Sequence, residues 1–272
     1  MINLAGPETN YERNPWKAGT PAFCQYVVAW DRAIRRREKI MQSSQNAGRV
    51  SVDAATSRLV LPTRQIAGVP VPDTPLVSRA VEYVGDCSEP YLFNHVMRSW
   101  LFAVTLAELR SAPYDAEVLA VSTLLHDLGL AEAFSGPLRF EVEGANAARA
   151  FARKEGLDER RTQLIWDSVA LNSTPSICLY KETEVALCTV GVGVDWSGWC
   201  YDSIAEDRMK SIVETFPRLE MKQRFTRAIC GIVVSRPETT YDNFARDFGE
   251  RFVPGYHSSS IVDSLLNSPF KE

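Results

Sequence analysis

Histidine is scarce in this chain, with three in 272 residues. Cysteine occurs six times, at Cys24, Cys87, Cys178, Cys188, Cys200 and Cys230, but the six are scattered and none forms a C-x-x-C pair. No leader with a basic start and an apolar core precedes them, so the expectation is free thiols in a reduced, cytoplasmic protein. No apolar segment approaches the roughly 20 residues needed to span a bilayer, which leaves a membrane protein unsupported. Neither charge sign dominates: the formal net charge is -4, and basic residues are dispersed apart from "RAIRRREK" at 32–39. That run reads as the solvated face of a helix, and no extended cationic surface for nucleic acid is expected. What is present is 45% hydrophobic and 24% charged residues. That balance and length suit one globular domain, or a domain with an extension, able to bury a large core without staples.

Residues 1–20 are polar and broken by Pro7, Pro15 and Gly19, and predict an extended arm. Residues 21–41 carry Phe23, Val27, Trp30 and Ile34 at helical spacing, which predicts an amphipathic helix docked on the main body. Frequent Ser, Gly and Pro from 42 onward predict a wrapping connection with at most short extended pieces, so 1–75 forms an N-terminal extension. From Leu76 the apolar periodicity is helical almost throughout, with a start signal at Asp115 and breaks at Gly156, Pro175 and Pro217. The expected fold is therefore all-α, a helical body over 76–250 followed by a tail, 251–272, holding a short peripheral helix.

"VLAVSTLLHDLGLAEAF", 118–134, sets His126 and Asp127 side by side in a strongly apolar run. Burying such a pair costs several kcal/mol unless it is paired or bound to a metal. Helical spacing puts Ala120, Thr123, Leu124 and Asp127 on one stripe, with His126 at its edge. Upstream, "LFNHVMRSWLFAV" brings His95 and, one turn on, Arg98; downstream, "TEVALCTVGVGVDWSG" brings Asp195. His95, His126, Asp127 and Asp195 make a mixed nitrogen and oxygen set that suits zinc, iron(II), manganese or nickel with room for water. A bound divalent ion lowers the pKa of its water to about 7.

The order of an isolated His, a His-Asp dipeptide and a distal Asp, each on a helical segment, resembles the HD-domain superfamily of metal-dependent enzymes over about residues 76–245. The segments "PYLFNHVMRSW", "DAEVLAVSTLLHDLGL", "RFEVEGANAARAF", "IWDSVALN" and "FPRLEMKQRF" are similar to its cyanamide-hydratase-like branch. The resemblance implies an HD-domain helical bundle, one bound metal ion, zinc or iron(II), and addition of water to a small molecule. It matches a family Phe-Glu pair to Phe140 and Glu141, which implies Glu141 at the site wall as proton acceptor or substrate anchor; first-turn helix charge is the plainer reading. Where the branch commonly has a histidine, this chain has Asn172, which hydrogen-bonds but does not act as a base. That departure weakens cyanamide itself as substrate. With only His257 left over, in a Ser-rich tail, a dinuclear centre lacks ligands.

Asp127 and Glu141 are thus the expected catalytic groups, with Arg98, Asn172 and Trp196 beside the substrate. For Arg98 a structural ion pair with Asp127, Glu117 or Asp86 is the favoured reading, against a clamp on substrate or on a carboxylate. Trp100, Trp196 and Trp199 line a pocket or fill core. Cys188 and Cys200 read as small buried hydrophobes. The leading expectation is a metal-dependent hydratase or lyase acting on a nitrile-type small molecule. A phosphohydrolase for nucleotides or phosphomonoesters is the alternative, though few Lys or Arg adjoin the motifs. A repurposed scaffold tailoring a small metabolite is a third. The extension 1–75 would cover the pocket mouth or build a homodimer contact.

Overall fold

A computed structural model describes residues 61–270; the expected arm and amphipathic helix lie outside the described residues. The described chain is almost entirely helical, as its periodicity predicts. It opens with an antiparallel hairpin, β1 (Thr63–Ile66) and β2 (Val69–Pro72), with Thr63 opposite Pro72 and Ile66 opposite Val69. The turn residues Ala67 and Gly68 both take positive φ, the twist that suits a two-residue hairpin. The sequence expectation assigned this stretch to a wrapping connection. The two four-residue strands are the short extended pieces allowed there, and Val69 and Val71 are wholly buried in the main core, so the hairpin packs with the body.

Eleven α-helices follow among the described residues. They are α1 (Pro75–Cys87), α2 (Pro90–Leu109), α3 (Ala116–Leu125), α4 (Phe140–Lys154), α5 (Glu159–Ala170) and α6 (Pro175–Cys178), then α7 (Thr183–Ser197), α8 (Glu206–Thr215), α9 (Met221–Ser235), α10 (Ala245–Phe252) and α11 (Ile261–Leu266). Their starts follow local chemistry. Asp115 accepts hydrogen bonds from the amides of Glu117 and Val118 to cap α3, and Asp158 caps α5 through Arg161 N. Proline occupies the first turn of α1, α2 and α6, where its missing N–H costs nothing. Gly156, at φ +79°, ends α4 as expected.

The main core is built on α2, α3 and α7. Trp100, Leu101, Leu119, Leu124 and Leu187 have no solvent exposure, and each such leucine contributes about 1.5–3 kcal/mol by burial. α2 and α7 make the most extensive helix contact. It depends on Gly191, where a Cβ would lie 2.4 Å from Ser99 O and 2.7 Å from Ala103 Cβ. A second cluster, Tyr91, Leu92, Phe140, Phe225 and Ile229, joins α9 and α10 to the N-terminal ends of α2 and α4. Between the clusters the chain leaves a cavity, and the polar residues gather there. The tail carries the expected short helix, α11, with Ile261, Val262, Leu265 and Leu266 exposed. No helix among the described residues is long and apolar enough to cross a membrane.

Candidate metal centre

Helix α3 ends at Leu125, one residue before the His-Asp pair, and this differs from the helical stripe expected. His126 keeps helical torsions as the cap (φ -63°, ψ -27°), whereas Asp127 departs to φ -108°, ψ 14° and leads into a 3-10 turn, Leu128–Leu130. Neighbours inside a helix diverge by about 100° around the axis. Leaving the helix lets both side chains serve one centre. The turn is held against α4 at Gly129, where a Cβ would lie 2.9 Å from Gly144 N and closer still to Phe140 O.

His95, from the first half of α2, completes the group. One ligand atom from each of His95, His126 and Asp127 lies within 4.8 Å of the others, and all three residues are buried. His126 Nε2 is 3.2 Å and His95 Nε2 is 3.5 Å from Asp127 Oδ2. The far side of each ring determines what these atoms are. His126 Nδ1 is 2.8 Å from the carbonyl oxygen of Thr123, which only accepts, so Nδ1 carries the hydrogen. His95 Nδ1 is 2.7 Å from Asp195 Oδ2, a carboxylate held by arginines, so it donates as well. In the neutral rings both Nε2 atoms are then bare lone pairs facing a carboxylate oxygen. His126 Nε2 and Asp127 Oδ2 have no hydrogen-bond partner and no solvent. Lone pairs converging in a dry site repel unless a cation lies among them, either a proton shared by His126 and Asp127 or a metal ion.

Electrostatics support that demand. Burial opposes protonation of His126, yet the adjacent Asp127 carboxylate outweighs it and the ring's pKa is raised. Burial likewise pushes Asp127 up, and His126 with His95 brings it below the ordinary carboxylate value. His95 is lowered, because burial prevails over Asp195 and Asp127.

Asp195, the expected fourth ligand, is placed behind His95 and outside the converging atoms. Arg98 grips it with two bonds, Nε to Oδ1 and Nη2 to Oδ2, both 2.7 Å. Arg218 Nη1 adds 2.8 Å to Oδ1, and His95 takes the remaining site on Oδ2. Burial raises its pKa, but these partners hold Asp195 well below the usual carboxylate range. Its carboxylate fixes the His95 ring, as a metal ligand's supporting partner does. Arg98 accordingly does not line the cavity. It is fully buried, and it pairs with Asp195 rather than with Asp127, Glu117 or Asp86. It also donates to Phe216 O at 2.8 Å, tying the segment between α8 and α9 to the centre.

Glu141 is buried too, but it does not line the cavity. Arg139 donates to it at 2.9 Å and Ser173 Oγ at 2.8 Å, so the expected proton acceptor is occupied and Ser173 forms the wall in its place. Asn172 and Trp196 do line the cavity, as expected. Asn172 Nδ2 donates to Val169 O at 2.7 Å and reaches His126 O at 3.4 Å. Trp199 borders the cavity over Gly193, and Trp100 is core. Cys178, Cys188, Cys200 and Cys230 are buried, and burial pushes Cys188 up to about 12 and Cys178 up to about 11.

The cavity measures about 320 Å³, with His95, His126 and Asp127 among its lining residues. That equals the liquid volume of about ten waters. Its walls are chiefly aromatic, from Phe140, Trp196, Trp199, Phe225, Phe244 and Phe248.

Comparison with known protein families finds no family model that matches this chain, and comparison with curated proteins finds no match.

The sequence reading passed over Arg218, Phe225 and the α10 residues Asp247 and Phe248, with Phe244 just before them. The one available signal was Phe244 and Phe248 four residues apart in the otherwise charged "NFARDFGERF". Arg218 and Phe225 fell within the family-like segment "FPRLEMKQRF" but were given no role, and the Arg218 partner Asp195 is 23 residues away.

Proposed function

We propose that the chain is a metal-dependent hydratase or lyase of the HD-domain kind, acting on a small nitrile-type or related electrophile. One observation carries the reading: the Nε2 atoms of two buried imidazoles and one buried carboxylate oxygen converge on the wall of a cavity, and two of these three atoms have no hydrogen-bond partner. Two histidines and one carboxylate fit zinc with an open position, and equally iron(II). When bound, such an ion supplies Lewis acidity and lowers the pKa of water to about 7.

The protein's own contribution is positional. Asp195 and Thr123 O hold the two imidazoles in the tautomer that leaves Nε2 free. Asp127 would hold the ion through Oδ2, and its carboxylate would take the proton released as water adds to the electrophilic carbon and return it to the atom that receives the π pair. Asn172 and Ser173 present polar edges to the bound molecule, and the aromatic walls keep bulk water out.

The phosphohydrolase reading loses ground on the cavity's composition. No Lys or Arg is among its lining residues, and a phosphoryl group wants cationic partners.

Metal content of the purified full chain, by mass spectrometry, tests the proposal beside a His126→Ala, Asp127→Ala double variant. About one zinc or iron per chain, absent from the variant, supports it, and a screen of nitriles, cyanamide and phosphomonoesters follows. A chain that takes up no divalent ion sinks it and leaves His126 and Asp127 as a proton-sharing buried pair. Phosphate release without nitrile turnover reverses the order of the two chemistries.

A further inference from the structure

The aromatic wall is continuous from the metal group to the cavity mouth. Phe225 meets His95 edge-on at 6.1 Å between centroids, and Trp196 meets Phe225 at 4.5 Å. Phe244 and Phe248 follow at 6.1 and 6.3 Å from Trp196. Trp196 is 39% exposed, which places it at the rim. Between Phe244, just before α10, and Phe248 stands Asp247, an exposed lining residue in the first turn of α10 with Arg246 as a charged neighbour but no ion pair or side-chain hydrogen bond among the described residues. Its chain neighbour Arg246 is turned onto Glu250 at 2.7 Å. Arg139, beside lining residue Phe140, is paired with Glu141 and Asp242. Every charge on the lining side chains themselves, apart from the two histidines, is thus negative.

An aromatic wall and a carboxylate outside any ion pair attract the same kind of ligand, a cation held over a ring within about 6 Å of its centroid. An anion meets only desolvation there. The metal group, once loaded, repels a cation from the inner end, so the positive charge belongs at the outer one. We propose that the cavity selects an organic cation, a protonated amine or quaternary ammonium on an aromatic or apolar body, with its charged end against Asp247 and Trp196. The identity of the inner end, an electrophile facing Asp127, and the placement of the charge at the outer end rest on the metal-dependent reading; the preference for a cation does not. A volume of about ten waters' worth accommodates such a body and exceeds what a three-atom nitrile fills.

Calorimetric titration of the purified full chain with benzyltrimethylammonium, benzyl alcohol and benzenesulfonate tests the selection directly, without turnover. The expected order is the cation about tenfold tighter than the alcohol, with no saturable binding of the sulfonate. Asp247→Asn weakens the cation about three- to fivefold and leaves the alcohol unchanged. Trp196→Leu weakens both. Alcohol or sulfonate binding at least as tightly as the cation, indifference to Asp247→Asn, or no binding of any probe overturns the proposal. Metal content of the same sample separates the two readings. A metal-free chain that keeps this order sinks hydration alone, and a metal-loaded chain that prefers the sulfonate sinks cation selection alone.

Discussion

Replacing Asp195 by Asn removes one charge from a buried network and shows how the centre is held. Arg98 has no solvent exposure, and Asp195 accepts both of its carboxylate-directed bonds at 2.7 Å. Without that anion the guanidinium is left uncompensated in the core, a change that costs about 3–5 kcal/mol. Arg218 stays partly hydrated, so its loss adds little. At about 2–4 °C per kcal/mol for a chain of this size, the melting temperature should fall by about 6–20 °C. Urea titration at pH 7 measures the free energy, and an Arg98→Met, Asp195→Leu double variant serves as control. It should recover part of the loss, because no fully buried charge is left unpaired; the Phe216 carbonyl that Arg98 satisfied and the His95 Nδ1–H that Asp195 satisfied limit the recovery. The pH dependence has a definite sign. Asp195 has a folded pKa below its unfolded value near 3.9, so the unfolded chain binds the extra proton. Its contribution is complete above that value and fades as pH falls toward the folded pKa, and Asp195→Asn should flatten this acid limb. A loss under about 1 kcal/mol with an unchanged acid limb would refute the network as a source of stability.

Asp195→Asn should also weaken metal binding by about 10–100-fold through a misdirected His95 ring, read by chelator competition. Wild-type metal affinity should fall as pH drops through the raised pKa of His126, because the ring must lose its proton to ligate; competition titrations from pH 8 down to pH 6 check this. Gly191→Ala places a methyl 2.4 Å from Ser99 O, so α2 and α7 must separate, and denaturant titration should show about 1–3 kcal/mol of lost stability. Glu141→Gln should leave metal content unchanged, since Glu141 engages Arg139 and Ser173 and not the metal group; loss of metal in that variant would return it to the centre.

The helices and the three central ligand-type residues were legible because their causes are local. Apolar spacing of 3.6 residues, Asp115 and Asp158 as caps, and prolines at helix starts are all written within a few positions of where they act. His95, His126 and Asp127 declared themselves as costly polar groups inside apolar helices, and a cost of that kind requires a partner wherever the helices meet. The roles of Asp195, Arg98 and Glu141 were not legible, because which partner satisfies a buried charge depends on what tertiary packing brings near. The segment at Phe216–Arg218 delivers a carbonyl and a second guanidinium to the Arg98–Asp195 pair, and Asp195 in turn holds the His95 ring. Glu141 was claimed by Arg139 and by Ser173, 32 residues on. The cavity's aromatic wall likewise exists only because α9 and α10 fold across the ends of α2 and α4. Local propensity and burial cost determine the helices and nominate the buried polar residues; only packing at long range decides which of them face the cavity and which face one another.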